Sequence, residues 1–183
     1  MIALWWLIPA IVIAVLLGMW VAFTITRLDR LHARVDAAGA ALDAQLVRRA
    51  AALLHAVESA EARALPDLDE VQRTRYEAAA EHVLEFTENS HDQGRESVEN
   101  MVGRMLAQLA DHSDGLRSET VAELREAAAR VQVARRFYND AVRDTRSVRS
   151  RRMPRLLRLA GNRALPEFFD IDDTSPEDAP RNL

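Results

Sequence analysis

The chain has 183 residues, and after a membrane segment is subtracted about 155 remain, enough for one domain with its own core. All 24 of its Lys and Arg positions are Arg and there is no Cys, which excludes disulfides, thiolate metal sites, P-loop lysines and Schiff-base lysines. The net charge of −4 does not indicate a nucleic-acid-binding protein, and the scarcity of Gly and Pro favours helices over strands.

The N-terminal segment MIALWWLIPAIVIAVLLGMWVAFTIT contains no charged side chain. As a helix, residues 2–25 would span roughly 36 Å, which exceeds the hydrocarbon core of a bilayer at about 30 Å. Trp5, Trp6 and Trp20 lie toward the two ends, where indole rings prefer the headgroup zone. The segment lacks the charged start and the small-residue cleavage site of a signal peptide. Residues 2–26 are therefore predicted to form an uncleaved transmembrane anchor.

The charges around this segment predict its orientation. Arg27, Arg30 and Arg34 follow the apolar stretch, and no Lys or Arg precedes it. Positive charge is retained on the cytoplasmic side of a membrane. We therefore expect a single-pass protein of the cell inner or plasma membrane, with its N-terminus outside and its remaining chain in the cytoplasm.

Four amphipathic helices are predicted after the anchor, because apolar residues recur at steps of three and four. The first runs from Arg27 to about Ala64, the second to about Asn89, and the third from about Arg95 to the segment DHSDG. The fourth starts at Ser118, a plausible N-cap, and is closed by Pro154. The predicted fold class is all-α, with one N-terminal transmembrane helix followed by an antiparallel, coiled-coil-like bundle of long helices over residues 27–165.

The last stretch, residues 166–183, differs in composition from the helices. Phe168 and Phe169 stand side by side and are followed by an acidic segment that contains Pro. We expect the Phe168–Phe169 pair to dock as an anchor and the residues after it to form a disordered tail.

Two segments resemble the signature regions of the LemA family. One is RVDAAGAALDAQLVRRAAALL at residues 34–54, and the other is ARVQVARRFYNDAVRDTRSV, which a Pro, a Gly and EFFD follow. The resemblance covers about the first 60 and last 60 residues and is that of a divergent member. It implies a single-pass membrane protein with an antiparallel helical bundle, in a family whose molecular activity is unsettled. The motif residues are Arg48, Arg49, Arg135, Arg136, Phe137, Tyr138, Asn139, Phe168 and Phe169.

Helical periodicity favours a packing role for the second segment. Phe137 and Tyr138 lie about 100° apart on a helix, so both can border one wide apolar face. The outer side would then carry ion pairs among Arg136, Asp140 and Arg143.

Asn139 is harder to explain by packing, because a mid-helix Asn is unfavourable unless its amide is used. We hypothesise that it cross-links helices through a buried hydrogen bond with Arg48 or Asp43 of the first helix.

Catalytic and metal-binding patterns are weak. Glu88 and His91 have the Glu-x-x-His spacing of helical di-iron proteins, and only Asp29 with His32 approaches a second such pair. The sequence has neither a Gly-x-Ser-x-Gly elbow nor a Gly-rich phosphate loop. No catalytic residue, metal ligand or cofactor is predicted.

The strongest charge signal is the run RDTRSVRSRRMPRLLR. Anionic lipid of the inner leaflet is a candidate partner, since each Arg near such a surface contributes on the order of 1 kcal/mol. The competing interpretation pairs this run with the acidic tail from Glu167 to Asp178, and nucleic acid is disfavoured because no aromatic residue interleaves the arginines. The candidate lipid contacts are Arg146, Arg149, Arg151, Arg152, Arg155 and Arg158.

These observations predict a membrane-anchored scaffold or adaptor that binds without turnover. Its partners would be membrane lipids and proteins that the sequence does not identify, and a homo-oligomer stays open. Two alternatives remain: a membrane-tethered metalloenzyme around Glu88 and His91, and an envelope-organising bundle with reversed topology.

Overall fold

The computed structural model of the chain describes residues 5–59, 62, 65, 68–85, 93–111, 115–150 and 163–171. The protein is all-α, as predicted, and the long apolar N-terminal helix packs against the others. Its helices are α1 (Leu7–Glu58), α2 (Glu70–Glu85), α3 (Gln93–Asp111) and α4 (Ser118–Arg149). None of the residues in these described ranges forms a β-strand.

The helix ends differ in detail from the sequence-based expectation. Helix α1 ends at Glu58, several residues before Ala64, and α3 begins at Gln93. Helix α4 ends at Arg149, and a turn follows at Ser150. Pro154, which we expected to close α4, lies outside the described residues.

The chain forms two compact units. The first unit comprises Met1–Ala37 and Asp140–Pro166, and the second comprises Ala38–Asn139 and Glu167–Leu183. The first 31 helical positions of α1 and the last turns of α4 therefore belong to the first unit.

The first unit begins with an apolar helix surface that no described residue covers. Every residue from Trp5 to Trp20 is exposed, including Trp5 and Trp6. Helix α1 is long and apolar enough to cross a membrane, and it is alone in this among the helices described. Thr24 donates its hydroxyl to the carbonyl of Trp20 at 2.8 Å, which satisfies this polar side chain within its own helix.

Further along the same unit, α1 and α4 run antiparallel. Arg34 pairs with Asp144 at 3.0 Å, and the hydroxyl of Thr145 lies 3.5 Å from the carbonyl oxygen of Leu31. From Leu31 to Arg34 the residue number on α1 increases, while that of the partner on α4 decreases from Thr145 to Asp144. The two helices are therefore antiparallel. Thr145 is fully buried and also bonds the carbonyl of Ala141 at 2.8 Å.

The second unit contains the main hydrophobic core, to which all four helices contribute. The apolar stripes that the sequence predicts are confirmed as its inward faces. Each fully buried Leu or Val contributes about 1.5–3 kcal/mol relative to an exposed position, so the core stabilises the bundle far more than helix propensity does. Its most deeply buried Leu and Val residues are Leu53, Val57, Val83, Val102, Leu106, Leu109, Val121 and Leu124.

A capping box starts α2 in this unit. The backbone N–H of Gln72 donates to Asp69 Oδ1 at 2.7 Å, and the backbone N–H of Asp69 lies 3.4 Å from Gln72 Oε1. This reciprocal pair satisfies two backbone donors at the helix start. It explains why α2 begins at Glu70, directly after Asp69.

Candidate functional site

A charged cluster lies in the interior of the second unit. It consists of Asp43 and Arg49 on α1 with Arg95 and Glu99 on α3, and we call these four residues the buried quartet. Arg49 Nη2 donates to Glu99 Oε2 at 2.7 Å and to the Glu99 backbone carbonyl at 2.8 Å. Arg95 Nη2 lies 2.8 Å from Asp43 Oδ1, and Arg95 Nε lies 3.7 Å from Glu99 Oε1.

All four side chains of the buried quartet are shielded from solvent. Their exposed fractions range from 0% for Glu99 to 9% for Asp43. Two carboxylates and two guanidinium groups balance one another, so the interior carries no net charge when all four are ionised. Such balance is the condition under which charges are tolerated in a low-dielectric interior.

The quartet also fixes how two helices align. Asp43 precedes Arg49 on α1, and their partners Arg95 and Glu99 follow in the same order on α3. The two helices are therefore parallel, as the first and third members of an up-down-up-down bundle must be. A shift of one helix along the other would separate both pairs at once.

Burial perturbs the protonation of one member. Loss of solvent raises the pKa of the Glu99 carboxyl above its usual 4.5, and the nearby Asp43 carboxylate adds to this. The ion pairs with Arg49 and Arg95 act in the opposite direction without cancelling the effect of burial. The pKa of Glu99 thus stays raised.

The quartet separates the two arginines that the sequence places side by side. Arg49 is buried in the quartet, whereas Arg48 is exposed. Neither Arg95 nor Glu99 was predicted from the sequence to be a site residue. The signal was present, because both continue the inward stripe of Val102, Leu106 and Leu109 by one heptad.

A second site uses the aromatic motif on α4. Asn139 Nδ2 donates to the backbone carbonyl of Phe169 at 3.0 Å, and the backbone N–H of Phe169 donates to Asn139 Oδ1 at 3.0 Å. One side-chain amide therefore satisfies both polar groups of one backbone residue. This arrangement imitates a strand neighbour and holds residues 167–171 as an extended segment.

Three further residues, Glu96, Arg135 and Tyr138, also contact this segment. We call these three residues and Asn139 together the clamp. Tyr138 donates its hydroxyl to the carbonyl of Glu167 at 2.9 Å, and Glu96 Oε1 accepts the backbone N–H of Asp170 at 2.9 Å. Arg135 NH1 lies 3.3 Å from Asp170 Oδ1.

The structure corrects two expectations about the motif. Asn139 binds the backbone of Phe169, not Arg48 or Asp43, and Asp43 pairs with Arg95 instead. Phe137 does not border the buried face: it is 64% exposed. The reason is that α4 turns Tyr138 inward, which places Phe137 on the outer side of the helix.

The remaining motif residues have mixed positions. Phe169 is fully buried, but Phe168 is 43% exposed, so only one Phe of the expected pair acts as the anchor. Arg136 is exposed, and Asp140 forms the expected ion pair with Arg143 at 2.8 Å.

The arginine-rich run is only partly described. Arg149 donates to the backbone carbonyls of Ala164 and Arg163 at 2.7 and 2.8 Å, so its guanidinium holds the chain instead of the acidic tail. Arg146 is half-buried. Outside the described residues lie Arg151, Arg152, Arg155 and Arg158.

The metal-site alternative depends on the pair Glu88 and His91. Glu88 and His91 lie outside the described residues. Asp29 is exposed and His32 is buried, so this pair does not face one site. Among the residues that the structure describes, no group of three or more His, Cys, Asp or Glu is arranged to hold a metal ion.

Comparison with models of known protein families, with curated proteins and with solved structures finds no match to this chain.

Replacing Arg49 should destabilise the bundle strongly. An Arg49→Met change leaves the Glu99 carboxylate buried with one of its two cations removed, which costs about 3–5 kcal/mol of unfolding free energy. Arg48→Met is the matched control, because its side chain is exposed and should change stability by no more than about 0.5 kcal/mol. Urea unfolding of the full chain in detergent micelles, followed by circular dichroism, measures both. Equal effects of the two changes would contradict the assignment.

The raised pKa of Glu99 predicts a pH dependence of stability. As pH rises above 4.5, the carboxyl ionises first in the unfolded chain, so its contribution to stability falls until pH exceeds the folded-state pKa. Glu99→Gln cannot ionise and lacks this contribution. The free energy of unfolding of the wild type minus that of Glu99→Gln should therefore fall between mildly acidic and neutral pH. If this difference in unfolding free energy stays constant or rises with pH, the pKa of the Glu99 carboxyl is not raised in the folded protein.

Removing the Asn139 amide should release residues 167–171. Asn139→Ala leaves the N–H and carbonyl of Phe169 without the Asn139 amide, which should lower the free energy of local opening of this segment by about 1–3 kcal/mol. Proteolytic cleavage within the segment should therefore become about tenfold faster or more. Limited chymotrypsin digestion read by mass spectrometry reports cleavage after Phe169. Phe137→Ala removes an exposed ring two positions away and should leave that rate unchanged. If Asn139→Ala cleaves no faster than Phe137→Ala, the clamp does not hold the segment.

Proposed function

We propose that this protein is a single-pass membrane anchor carrying a helical bundle, which acts as a scaffold or adaptor of the LemA type at the inner leaflet. One observation carries the proposal: the apolar helix surface from Trp5 to Trp20 is exposed throughout, although it precedes a well-packed bundle. Apolar surface of that extent is stable when lipid surrounds it.

The orientation in this proposal places the N-terminus outside and the bundle in the cytoplasm. It is supported by Arg27 and Arg30, which are exposed directly after the apolar surface and follow the positive-inside rule. Arg34 adds a third cation, but it is engaged with Asp144 at 3.0 Å.

The proposal assigns binding without turnover to the bundle. The buried quartet contains Glu99, whose carboxyl pKa is raised by burial, yet the quartet side chains are at most 9% exposed, which leaves no route for a substrate. The clamp, by contrast, is built to hold backbone through side-chain hydrogen bonds. Its chemistry is that of recognition.

An open apolar groove on the second unit adds a surface for partners. It has a volume of about 510 Å³ and lies between α1 and α4, where Ala38, Ala41, Val133, Ala134 and Phe137 line it. Separately from this groove, we assign contact with anionic headgroups to the arginine-rich run on the strength of its positive charge in the sequence.

Reporter fusions test the topology. Green fluorescent protein joined after Leu183 should fluoresce, and alkaline phosphatase at the same place should be inactive, because only the former matures in the cytoplasm. As a matched control, Arg27 and Arg30 are changed to Gln and three Arg are inserted before Ile2, which should reverse the two readouts. Active phosphatase on the unmodified chain would contradict the proposed orientation, and a shortened chain in the soluble fraction would contradict the anchor.

A further inference from the structure

Helix α4 ends beside the point where α1 leaves its apolar stretch. Within the first unit, Arg34 on α1 pairs with Asp144 on α4, and the two helices are antiparallel. From this pair α4 continues to Arg149, a length of about 7.5 Å along the helix axis. Helix α1 covers about 10.5 Å from Arg34 back to Arg27, the first residue after the uncharged segment. The end of α4 therefore lies within about 3 Å of the level of Arg27.

The end of α4 is also held firmly in place. Leu28 on α1 and Val148 on α4 are both buried, so the helices stay packed up to this level. Arg149 donates to the backbone carbonyls of Ala164 and Arg163 at 2.7 and 2.8 Å, which ties the last turn of α4 to a second segment of the same unit. The last turn is thus a fixed part of the surface beside α1.

The residues near this level are strongly cationic. Residues 27–36, 140–150 and 163–166 contain seven Arg and four Asp, which leaves a net charge of +3, whereas the whole chain carries −4. Ion pairs of 2.8–3.8 Å engage three of these Asp with Arg side chains of the same ranges. Arg27 and Arg30 are exposed. Positive charge is therefore concentrated at the end of the apolar stretch.

Helix α4 stops at the level where a membrane surface would lie. It ends at Arg149, and a turn follows at Ser150. The sequence continues with Arg151 and Arg152, and charged side chains are costly in hydrocarbon. One more helical turn of about 5.4 Å would carry such charges past Arg27 to the level of the uncharged segment. Ending the helix here keeps the charge of α4 outside the apolar layer.

We propose that the end of α4 and the adjoining part of α1 form one surface that binds anionic phospholipid headgroups. We call this surface the collar, and its residues are Arg27, Arg30, Arg146, Arg149 and Ser150. All of them lie within about 7.5 Å of the level of Arg27, which is no more than one Debye length of about 8 Å. This inference rests on the proposed membrane anchor and adds the structural element that touches lipid and the class of lipid that it prefers.

Two observations favour a lipid surface as the partner of the collar. The collar is continuous, along the unbroken helix α1, with the exposed apolar surface from Trp5 to Trp20. Its positive charge is complementary to the negative charge of an anionic leaflet, which attracts basic segments next to a membrane span. A soluble polyanion would use the charge and leave the adjoining apolar surface without a partner.

Quenching by nitroxide-labelled lipids measures the depth of the collar. The chain contains no Cys, so single-Cys variants of the full-length protein can carry a fluorophore in vesicles of phosphatidylglycerol and phosphatidylcholine. Ser150→Cys places the fluorophore on the collar. Ala37→Cys places it on α1 about 15 Å beyond Arg27, and Ala14→Cys places it within the apolar surface. All three positions are exposed, which makes the variants comparable.

The three positions give distinct expected results. A nitroxide on the headgroup should quench the Ser150 label at least about twofold more than the Ala37 label, and a nitroxide on the acyl chain should quench the Ala14 label most. If the Ala14 label is quenched while the Ser150 and Ala37 labels respond equally, α4 does not end at the lipid surface and the collar is wrong. If the Ala14 label is not quenched, the membrane anchor itself is wrong.

Charge changes at the same two positions test the class of lipid. In a background with Trp5→Phe and Trp6→Phe, Trp20 is the one remaining Trp, and its quenching by brominated phosphatidylglycerol relative to brominated phosphatidylcholine reports the local lipid preference. Ser150→Arg should raise this preference about fivefold and Ser150→Asp should lower it by a similar factor. Ala37→Arg and Ala37→Asp should change it no more than about twofold, because that position is more than a Debye length away. Equal shifts at the two positions would overturn the proposal.

Discussion

The pairing of two acids and two arginines inside the second unit is the constraint on which the bundle depends. Burying charges costs more than burying apolar side chains of similar volume, so Asp43, Arg49, Arg95 and Glu99 are not the most stable filling for this space. Their value lies in alignment, because apolar stripes tolerate small shifts along a helix and point-to-point ion pairs do not. Gly103 fits this picture: an added Cβ there would lie 3.3 Å from Arg49 NH1, so the glycine leaves room for the guanidinium group.

The positions of the clamp residues depend on the alignment of α1 and α3 that the buried quartet fixes. Arg95, whose guanidinium faces Asp43, is followed on α3 by Glu96, whose carboxylate accepts the backbone N–H of Asp170. The remaining clamp residues lie on one α4 face at steps of three and four, as Arg135, Tyr138 and Asn139. The extended segment therefore bridges two helices. The alignment of α3 with α1 determines the position of Glu96, so the ion pairs in the interior of the bundle help to position the clamp at its exterior.

Periodicity predicted the helices and most of their inward faces, because apolar side chains repeat at the same intervals on the sequence and on the helix surface. It did not find the buried quartet, since Arg95 and Glu99 at i and i+4 look the same in a solvated ion pair as in a buried one. Only their place on the stripe of Val102 and Leu106 distinguishes the two. The hydrogen-bond partner of Asn139 could not be predicted from the sequence, for a different reason. Phe169 lies 30 positions away in an extended segment, and no local pattern encodes that contact.

The exposed start of α1 differs from the rest of the same helix in its surroundings. Helix α1 continues without a break from the apolar surface through Thr24 and Leu28, which are buried, into the part of the helix that packs against α4. One continuous helix thus joins a surface that no described residue covers to a packed portion. In the proposal of a membrane anchor, lipid supplies the apolar surroundings that the described part of the protein does not.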